Sequence, residues 1–392
     1  MPIRRTERTR EIMEYDYLII GAGISGAAAA YELAQQGSVL LIEAETSPGY
    51  HSTGRSAALF TPQYGGKIVR RLNQASMDFF TTPPLSFCQH PLLKARGSMV
   101  IAAPGEEDSL AATLDLSDST NEIELITAAR ALELAPILRP ERVAAATFEK
   151  AVSDIDVAEL HQGFLRGLKD RGGILLCDKR IDRLKRHDGH WQALVGDTVF
   201  SARIIVNAGG AWADQIGQMA GASSIGLVPR RRTGIIVDAP QAMDVKAMPA
   251  IDYINTDAYL KPEAGKIMAS PGDQTPTEPQ DVRPEELDIA VLVDWLQRET
   301  LIEVKRIGNS WAGLRSFVAD EAPVVGFDAS APDFFWLAGQ GGYGIMMAPS
   351  LGRAAAGLII SGSLPTDLVQ HGIDEADLSP TRLELLKKNR SE

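Results

Sequence analysis

The sequence predicts an α/β protein in which a parallel-sheet domain is interwoven with an α+β domain built on an antiparallel sheet. Two junctions of the form strand, glycine turn and helix, at residues 16–43 and 334–360, predict the parallel sheet. At residues 225–270, several β-like runs follow one another without intervening helices, which is typical of an antiparallel sheet. Since these patterns alternate along the 392 residues, we expect the chain to pass between the two domains more than once.

The N-terminal residues precede the first predicted strand. Residues 1–12 are basic and polar and lack the apolar run of a signal peptide, so we predict a disordered leader, with Met13 as an alternative start. The first predicted domain comprises residues 13–65, 150–225 and 318–392, and the second comprises residues 66–149 and 226–317.

The N-terminal junction has the spacing of a dinucleotide-binding unit. Tyr17–Ile20 form a short apolar run, followed by Gly21, Gly23 and Gly26 in the pattern G-x-G-x-x-G and by a helix of small residues. Such glycines make a tight turn, let backbone approach a pyrophosphate and let the helix pack closely on the strand, while the helix N-terminus offers N–H groups to the phosphates. Glu43 ends the second strand, where an acid can accept hydrogen bonds from a ribose 2′-hydroxyl. The pattern therefore predicts a dinucleotide without a 2′-phosphate, either FAD or NAD.

The loop at residues 47–66 is rich in Gly, Ser and Pro and is long for an idle connection. A loop that leaves the end of the second strand is expected to lie over the bound cofactor. Arg55 and Ser56 are then placed to reach a phosphate or a flavin, and Tyr64 reaches further out. A solvated surface loop is the alternative.

Periodicity and turn residues predict the remaining elements. Thr127 and Asp156 are expected as helix N-caps, and Asp188-Gly189 and Gly196-Asp197 as hairpin turns. The predicted helices are Lys67–Phe80, Glu106–Leu114, Ala128–Leu134, Val157–Lys169, Pro284–Glu299 and about Met346–Ile360. The predicted strands are Ser98–Ala103, Ile174–Cys177, Arg180–Lys185, Arg203–Val206, Thr233–Val237, Ile251–Ile254, Ala258–Leu260, Lys266–Ala269, Glu303–Phe317 and Phe334–Ala338.

Composition excludes several classes of function. The net charge of −12 argues against a broad nucleic-acid surface, and no run approaches the length of a transmembrane helix. Cys88 and Cys177 are isolated, so neither a disulfide framework nor a CxxC site is indicated, and no metal site is predicted. A reducing, cytoplasmic compartment is the simplest interpretation, and peripheral membrane association stays open.

Several ordered motifs resemble those of the D-amino-acid-oxidase-like FAD family, and within it those of the D-arginine dehydrogenases. The resemblance extends from about Met13 to Ser379 and implies an FAD domain capped by an antiparallel substrate sheet. The motifs include PGYHSTGRSAA (48–58), VNAGGAW (206–212), WAGLRSFVAD (311–320) and GQGGYGI (339–345).

The resemblance also implies functions for individual residues. The FAD contacts carry over to Gly21, Gly23, Ser25, Gly26, Glu43, Ala44, Ser52, Thr53, Gly54, Arg55, Ser56, Ala57, Arg180, Ile181, Gly341, Gly342, Tyr343, Gly344 and Ile345. The substrate contacts carry over to Tyr64, Ser98, Arg232, Tyr259, Arg315 and Gly342, of which Tyr64, Tyr259 and Arg315 are the catalytic candidates.

These residue types suit an amino-acid substrate. Arg315 offers a planar fork for bidentate capture of a carboxylate, and Tyr259 can add a hydroxyl donor. Arg232 adds positive charge, and Tyr64 is placed to orient the amine or to close the pocket. A surface salt bridge is the alternative for Arg315, and core packing is the alternative for both tyrosines.

Two positions depart from the D-arginine dehydrogenase pattern. Leu59 replaces a histidine near the flavin, and Ser98 replaces a glutamate that pairs with the cationic end of the substrate. We therefore expect FAD-dependent oxidative deamination of a D-amino acid with a neutral or apolar side chain. Hydride would pass from the α-carbon to flavin N5, and the imino acid would hydrolyse to a 2-oxo acid.

Alternatives to this reaction stay open. The substrate is alternatively an N-substituted amino acid or a 2-hydroxy acid, the latter requiring a base such as His51, for which a structural role in the loop is favoured. A flavin-binding subunit without turnover is an alternative from another class. The electron acceptor (a quinone, an electron carrier or O₂) and the oligomeric state are not determined by the sequence.

Overall fold

The computed structural model describes residues 13–118, 121–241 and 243–384, so the leader predicted for residues 1–12 lies outside the described part of the chain. The strands are β1 (Met13–Ile20), β2 (Val39–Ile42), β3 (Leu59–Phe60), β4 (Leu93–Ala95), β5 (Ser98–Ala102), β6 (Ile123–Thr127), β7 (Ala145–Glu149), β8 (Ser153–Ile155), β9 (Ile174–Leu176), β10 (Arg183–His187), β11 (His190–Val195), β12 (Thr198–Asn207), β13 (Val228–Val237), β14 (Ala250–Tyr253), β15 (Tyr259–Glu263), β16 (Lys266–Ser270), β17 (Ile307–Phe317), β18 (Val324–Phe327) and β19 (Phe334–Ala338).

Two helices begin at the predicted caps. The Thr127 hydroxyl accepts a hydrogen bond from the Arg130 amide, and the Asp156 carboxylate accepts one from the Glu159 amide. The predicted helix at residues 106–114 is instead a 3₁₀ turn followed by one short α-helix. The helices are α1 (Ile24–Leu33), α2 (Lys67–Thr81), α3 (Ala111–Leu114), α4 (Ala128–Leu134), α5 (Val157–Asp170), α6 (Ala213–Ala220), α7 (Glu286–Glu299), α8 (Gly344–Ser361), α9 (Thr366–Gln370) and α10 (Glu375–Leu378).

The first sheet has a parallel centre. β1 pairs in parallel with β2 and β12, and β12 pairs in parallel with β19. Its order is β10-β11-β12-β1-β2-β9, with β19 also beside β12 and β18 beyond β19. The run Tyr17–Ile20 is apolar throughout because successive side chains enter two separate cores on opposite faces of the sheet. The carboxyl ends of β1, β2, β12 and β19 therefore lie at one edge, where such sheets bind ligands.

The second sheet has the order β17-β13-β16-β15-β14-β5-β7-β6. Its pairs are antiparallel, as predicted, except that β14 and β5 run parallel. One face packs its apolar residues, including Ile251 and Leu260, against Trp295 and Leu296 of α7. The opposite face carries Tyr259 and is directed toward the glycine turns of the first sheet. A third, small sheet has the order β3-β8-β4.

Helix α2 has its apolar face on the side of the first sheet. Val69, Leu72 and Ala75 pack into the same core as Met347 and Leu351 of α8. The predicted domain boundary after residue 65 assigns α2 to the substrate domain. In the structure, the apolar face of α2 packs into the core of the first sheet.

Helix α8 is apolar because it lies in the interior. By length and composition alone it meets the criterion for a membrane span within the described residues. However, 56% of that helix is buried inside the protein, and an added Cβ at Gly352 would lie 2.9 Å from the Ala28 carbonyl oxygen of α1. Its composition is thus explained by packing against α1 and α2.

Candidate active site

The first glycine turn leaves a space that a pyrophosphate can enter. A Cβ added to Gly21 would lie 2.4 Å from the carbonyl oxygen of Ala208, and a Cβ added to Gly26 would lie 1.9 Å from the carbonyl oxygen of Gly21. Backbone packing therefore requires glycine at both positions. A Cβ added to Gly23 would have one neighbour within 4 Å among the described residues, the Thr53 hydroxyl at 3.3 Å. The protein therefore leaves room above Gly23, as a close backbone approach to a ligand requires.

The N-terminus of α1 presents free backbone donors to this space. The Ile24 amide donates to the Thr53 hydroxyl at 3.0 Å. The amides of Ser25 and Gly26 donate to no group in the described part of the chain. Free amides at a helix N-terminus, together with the helix dipole, suit an anionic phosphate.

Glu43 connects the glycine turn with the ribose side of the site. Its carboxylate accepts hydrogen bonds from the Ala22 amide at 2.8 Å and from the Glu45 amide at 3.0 Å. The side chain is almost fully buried, yet it lines the cavity together with Ala44. A carboxylate has about four lone-pair sites, so two protein donors leave acceptors for a ribose hydroxyl.

The loop at residues 52–57 is fixed to the second sheet by its own side chains. The Ser52 hydroxyl donates to the Leu314 carbonyl at 2.6 Å, and the Arg55 guanidinium binds the Asp281 carboxylate at 2.5 Å. The Trp311 indole in turn donates to the Arg55 carbonyl at 3.0 Å. The Arg55 guanidinium thus anchors the loop to Asp281 and, at 3.0 Å, to the Ala312 carbonyl of β17. Arg55 also lines the cavity, and its contact with a phosphate or flavin stays a prediction.

One continuous cavity joins the two glycine junctions and reaches the second sheet. It begins beside Glu43 and ends at β13 and β17. Of the predicted cofactor residues, Gly26, Gly54 and Tyr343 do not contribute to its wall. The predicted residues that do are Gly21, Gly23, Ser25, Glu43, Ala44, Ser52, Thr53, Arg55, Ser56, Ala57, Arg180, Ile181, Gly341, Gly342, Gly344 and Ile345.

The second glycine junction makes room for Arg315. Gly341 has φ +54°, and an added Cβ there would lie 2.3 Å from the Phe317 ring. At Gly342, an added Cβ would lie 2.9 Å from a terminal nitrogen of the Arg315 guanidinium. The absence of a side chain at Gly342 therefore lets the guanidinium lie directly against the backbone that precedes α8.

Arg315 and Arg232 together make the inner end of the cavity positive. Both are half-buried, and neither has a carboxylate partner within the residues that the structure describes. The Arg232 side chain donates to the Asp273 carbonyl at 2.8 Å. Burial lowers the pKa of Arg232, and the positive charge of Arg315 lowers it further. Burial also acts to lower the pKa of Arg315, but Tyr259 and Tyr64 together outweigh this effect, so the pKa of Arg315 is raised. Two unpaired guanidinium groups in a shielded cavity form a binding site for an anion such as a carboxylate.

Strand alternation decides which of three consecutive arginines faces the cavity. Arg231 points to the opposite face and binds the Asp288 carboxylate at 2.9 Å. Arg230 is on the same face as Arg232 but comes two residues earlier in β13, where it binds the Glu321 carboxylate at 3.0 Å. Arg232 is therefore the member of the run that lines the cavity, and its contact with a substrate stays a prediction.

The two candidate tyrosines occupy different positions. Tyr259 lines the cavity. Tyr64 lies outside the cavity wall, is 45% exposed and packs its ring 5.1 Å from that of Tyr343. Its hydroxyl is within hydrogen-bonding reach of Arg315. Tyr64 is thus a rim residue that contacts the anion-binding arginine.

Ser98 is not part of the cavity wall, although it lies on the same face of the second sheet as Tyr259. On that face it is flanked by Ala250 in β14 and by Glu149 in β7. Burial raises the pKa of Glu149, while a hydrogen bond from Asn121 at 2.6 Å lowers it. Asp252, two residues beyond Ala250, lies on this face as well. Sequence analysis missed both acids, although the alternation of polar Asp252 with its apolar neighbours in β14 was a usable signal.

Two further residues have structural positions. His51 contacts the Glu45 carboxylate at 3.0 Å and packs 4.7 Å from the Trp212 ring, at the ribose side of the cavity. Met346 is almost fully buried, and its sulfur accepts from the Thr61 amide at 3.3 Å. His51 is thus held within its loop by Glu45, and Met346 is a core residue.

Known proteins share this fold and sequence pattern. FAD-dependent oxidoreductase domain-containing protein 1 of Bos taurus is 24% identical over 409 residues, which cover 90% of this chain and 82% of that protein. Mitochondrial dimethylglycine dehydrogenase of Mus musculus is 25% identical over 378 residues, and the match covers 90% of this chain but 43% of that enzyme. The structure of L-proline dehydrogenase from P. horikoshii superposes with a TM-score of 0.82 at 23% identity, covering 95% of this chain and 98% of that one.

The family model for FAD dependent oxidoreductases (DAO) matches residues 16–358, which is most of the chain. That range includes both glycine junctions and the anion-binding arginines. The free amides of α1, the space over Gly23 and the buried Glu43 carboxylate fit the pyrophosphate and ribose of FAD. The chain therefore belongs to the DAO family of FAD-dependent oxidoreductases.

Proposed function

We propose that the protein oxidises the C–N bond of an amino acid. The observation that carries this proposal is the pair Arg315 and Arg232, two guanidinium groups without a carboxylate partner in the described residues, at the inner end of the FAD cavity. The cavity thereby combines a site for the cofactor with a site for a carboxylate. An α-amino acid bound there presents its Cα–N bond close to the carboxylate that holds it.

The protein's residues bind and orient the substrate. Arg315 holds the carboxylate through paired N–H donors, and Gly342 keeps the guanidinium against the cofactor side of the cavity. Tyr259 adds a hydroxyl donor, and Tyr64 closes the rim over Arg315. When bound, FAD supplies the acceptor for a hydride from the α-carbon. The substrate amine must be neutral at that step, since a protonated amine cannot stabilise the forming C=N bond. Water then hydrolyses the released imine to a 2-oxo acid and ammonia.

The side chain and configuration of the substrate are finer proposals. The D configuration and the specific likeness to D-arginine dehydrogenases rest on the motif resemblance and stay predictions. The expected neutral side chain rested on Ser98 and on the lack of another acid nearby. Since Asp252 and Glu149 lie on the same sheet face, this absence no longer supports a neutral side chain.

An N-substituted amino acid is the second candidate substrate. Two of the similar proteins, dehydrogenases of dimethylglycine and L-proline, are named for substrates that carry a substituted nitrogen, whereas a glycine oxidase of Geobacillus kaustophilus is named for a primary amine. A 2-hydroxy acid is less favoured because it needs a base near Arg315, and His51 lies at the ribose side beside Glu45. A non-catalytic flavin subunit would not need two unpaired arginines in its cavity.

Anaerobic bleaching of the flavin tests the proposal. The purified FAD-loaded protein is mixed with D- and L-amino acids, with proline and dimethylglycine, and with 2-hydroxy acids. Loss of the oxidised flavin absorbance with one or more amino acids is the expected result, and re-oxidation in air would indicate an oxidase. Bleaching by hydroxy acids alone, or by no compound while FAD stays bound, would overturn it.

A further inference from the structure

Asp252 lies on the face of the second sheet that carries the predicted substrate contacts. Its neighbours in β14, Ile251 and Tyr253, enter the apolar core under α7. Asp252 points the opposite way, because side chains alternate along a strand. It is directly opposite Tyr259 in β15 and Val100 in β5. Tyr259 lines the FAD cavity, and Asp252 is its cross-strand neighbour on the same face, one strand beyond the residues that form the cavity wall.

Asp252 has no partner, unlike the charged groups around it. Within the described chain it makes no hydrogen bond or ion pair. On the same face, the ammonium of Lys261 binds the Asp154 carboxylate at 3.1 Å and the Glu263 carboxylate at 2.9 Å, and Glu149 accepts a hydrogen bond from Asn121. The cations of this region are therefore already neutralised, whereas Asp252 is left without a counter-charge.

The carboxyl of Asp252 lies on a part of this face that the protein shields only partly from water. Burial raises the pKa of Asp252 to about 7, yet the residue retains accessible surface and is only half-buried. An acid in such a place costs free energy unless a ligand supplies a donor or a positive charge. A charged acid that no protein group satisfies is thus a candidate for satisfaction by the substrate.

The distance to the arginines fits a substrate that is charged at both ends. β14 is separated from β13, which carries Arg232, by three strand spacings of about 4.8 Å, or about 14 Å between backbones. Both residues lie on the same face of the sheet, at the two ends of that span. A carboxylate at the arginines and a cation at Asp252 would therefore be matched by opposite charges on the protein.

We propose that Asp252 is a specificity-determining residue that binds a protonated amine or guanidinium at the end of the substrate side chain. This inference rests on the proposed function, since it takes Arg315 and Arg232 as the site of the substrate carboxylate. It assigns the selection of a basic amino acid to β14, not to the position of Ser98. Asp252 acts by binding the far end of the substrate, away from the bond that is oxidised.

Equilibrium binding tests the inference independently of turnover. The ligands are 5-aminopentanoate, which has a carboxylate and a terminal ammonium but no α-amine, and hexanoate, which has the same chain length without the charge. Binding to the FAD-loaded protein at pH 8.5 is followed by the change in flavin absorbance. We expect 5-aminopentanoate to bind at least about tenfold more tightly than hexanoate, as a charge-assisted contact provides.

The variants Asp252→Asn and Glu149→Gln separate the two acids. Asp252→Asn should abolish the difference between the ligands by weakening the binding of 5-aminopentanoate, while Glu149→Gln should preserve the difference. Equal affinities in the unmodified protein, a difference that survives Asp252→Asn, or a difference lost only in Glu149→Gln would each overturn the inference. Failure of every amino acid to bleach the flavin would instead refute the proposed function, because this binding comparison needs no oxidation.

Discussion

Replacing Asp252 with Asn should stabilise the folded protein at alkaline pH. Burial is the cause that raises the pKa of Asp252 from 3.8 to about 7. Each pKa unit corresponds to about 1.36 kcal/mol, so the charged form destabilises the native state by up to ~4 kcal/mol. Between pH 4 and pH 7 the native state keeps a proton that the unfolded state has lost. Stability therefore falls as the pH rises through this range, and the full penalty is present above pH 7.

Urea denaturation of the FAD-loaded proteins at pH 8.5 and pH 5 measures this effect. Asparagine keeps the shape of the side chain without the charge, so the variant should be more stable at pH 8.5 by up to ~4 kcal/mol. The difference in the free energy of unfolding between the variant and the unmodified protein should be smaller by nearly 3 kcal/mol at pH 5 than at pH 8.5. Asp238→Asn is the control, because Asp238 is exposed and Lys266 lowers its pKa, so this change should not stabilise the protein. Equal stability of Asp252→Asn and the unmodified protein at pH 8.5, or a gap independent of pH, would refute the burial argument.

Three other changes test the site directly. Gly26→Ala should abolish FAD binding, seen as colourless purified protein, because its Cβ would lie 1.9 Å from a backbone oxygen; a yellow variant releasing FAD on denaturation would contradict this. Arg315→Ala should lower kcat/KM for the amino acid that bleaches the flavin by about 2–5 kcal/mol in transition-state free energy while FAD stays bound. As a control, Arg230→Ala removes an arginine that is paired with an acid and should change kcat/KM little. If both variants lose kcat/KM equally, Arg315 has a structural role. Ser98→Glu should leave the ratio of kcat/KM for arginine to that for methionine nearly unchanged, because the selection of a basic side chain is assigned to Asp252; a shift toward arginine by about 1–3 kcal/mol would instead place position 98 in the substrate site.

The sequence determined the features that depend on local spacing. The G-x-G-x-x-G pattern after an apolar run predicted the turn in which Gly21 and Gly26 are required by packing. Thr127 predicted the start of α4, since a helix cap is a contact between residues three positions apart. The family assignment from ordered motifs was confirmed by the family model. Positions of the catalytic candidates rest on the resemblance and stay predictions of function, although the cavity brings Arg232, Tyr259 and Arg315 together.

Tertiary structure decided the features that depend on strand register over long separations. The Arg55 guanidinium lies against Asp281, more than two hundred positions away in the chain, so local sequence did not show that it anchors the loop. The parallel pairing of β14 with β5 could not be predicted from either strand alone. That pairing places Asp252 beside Val100, on the sheet face that also carries Tyr259. Side chains that meet across a sheet are set by the register between strands, which residues far apart in the chain determine together.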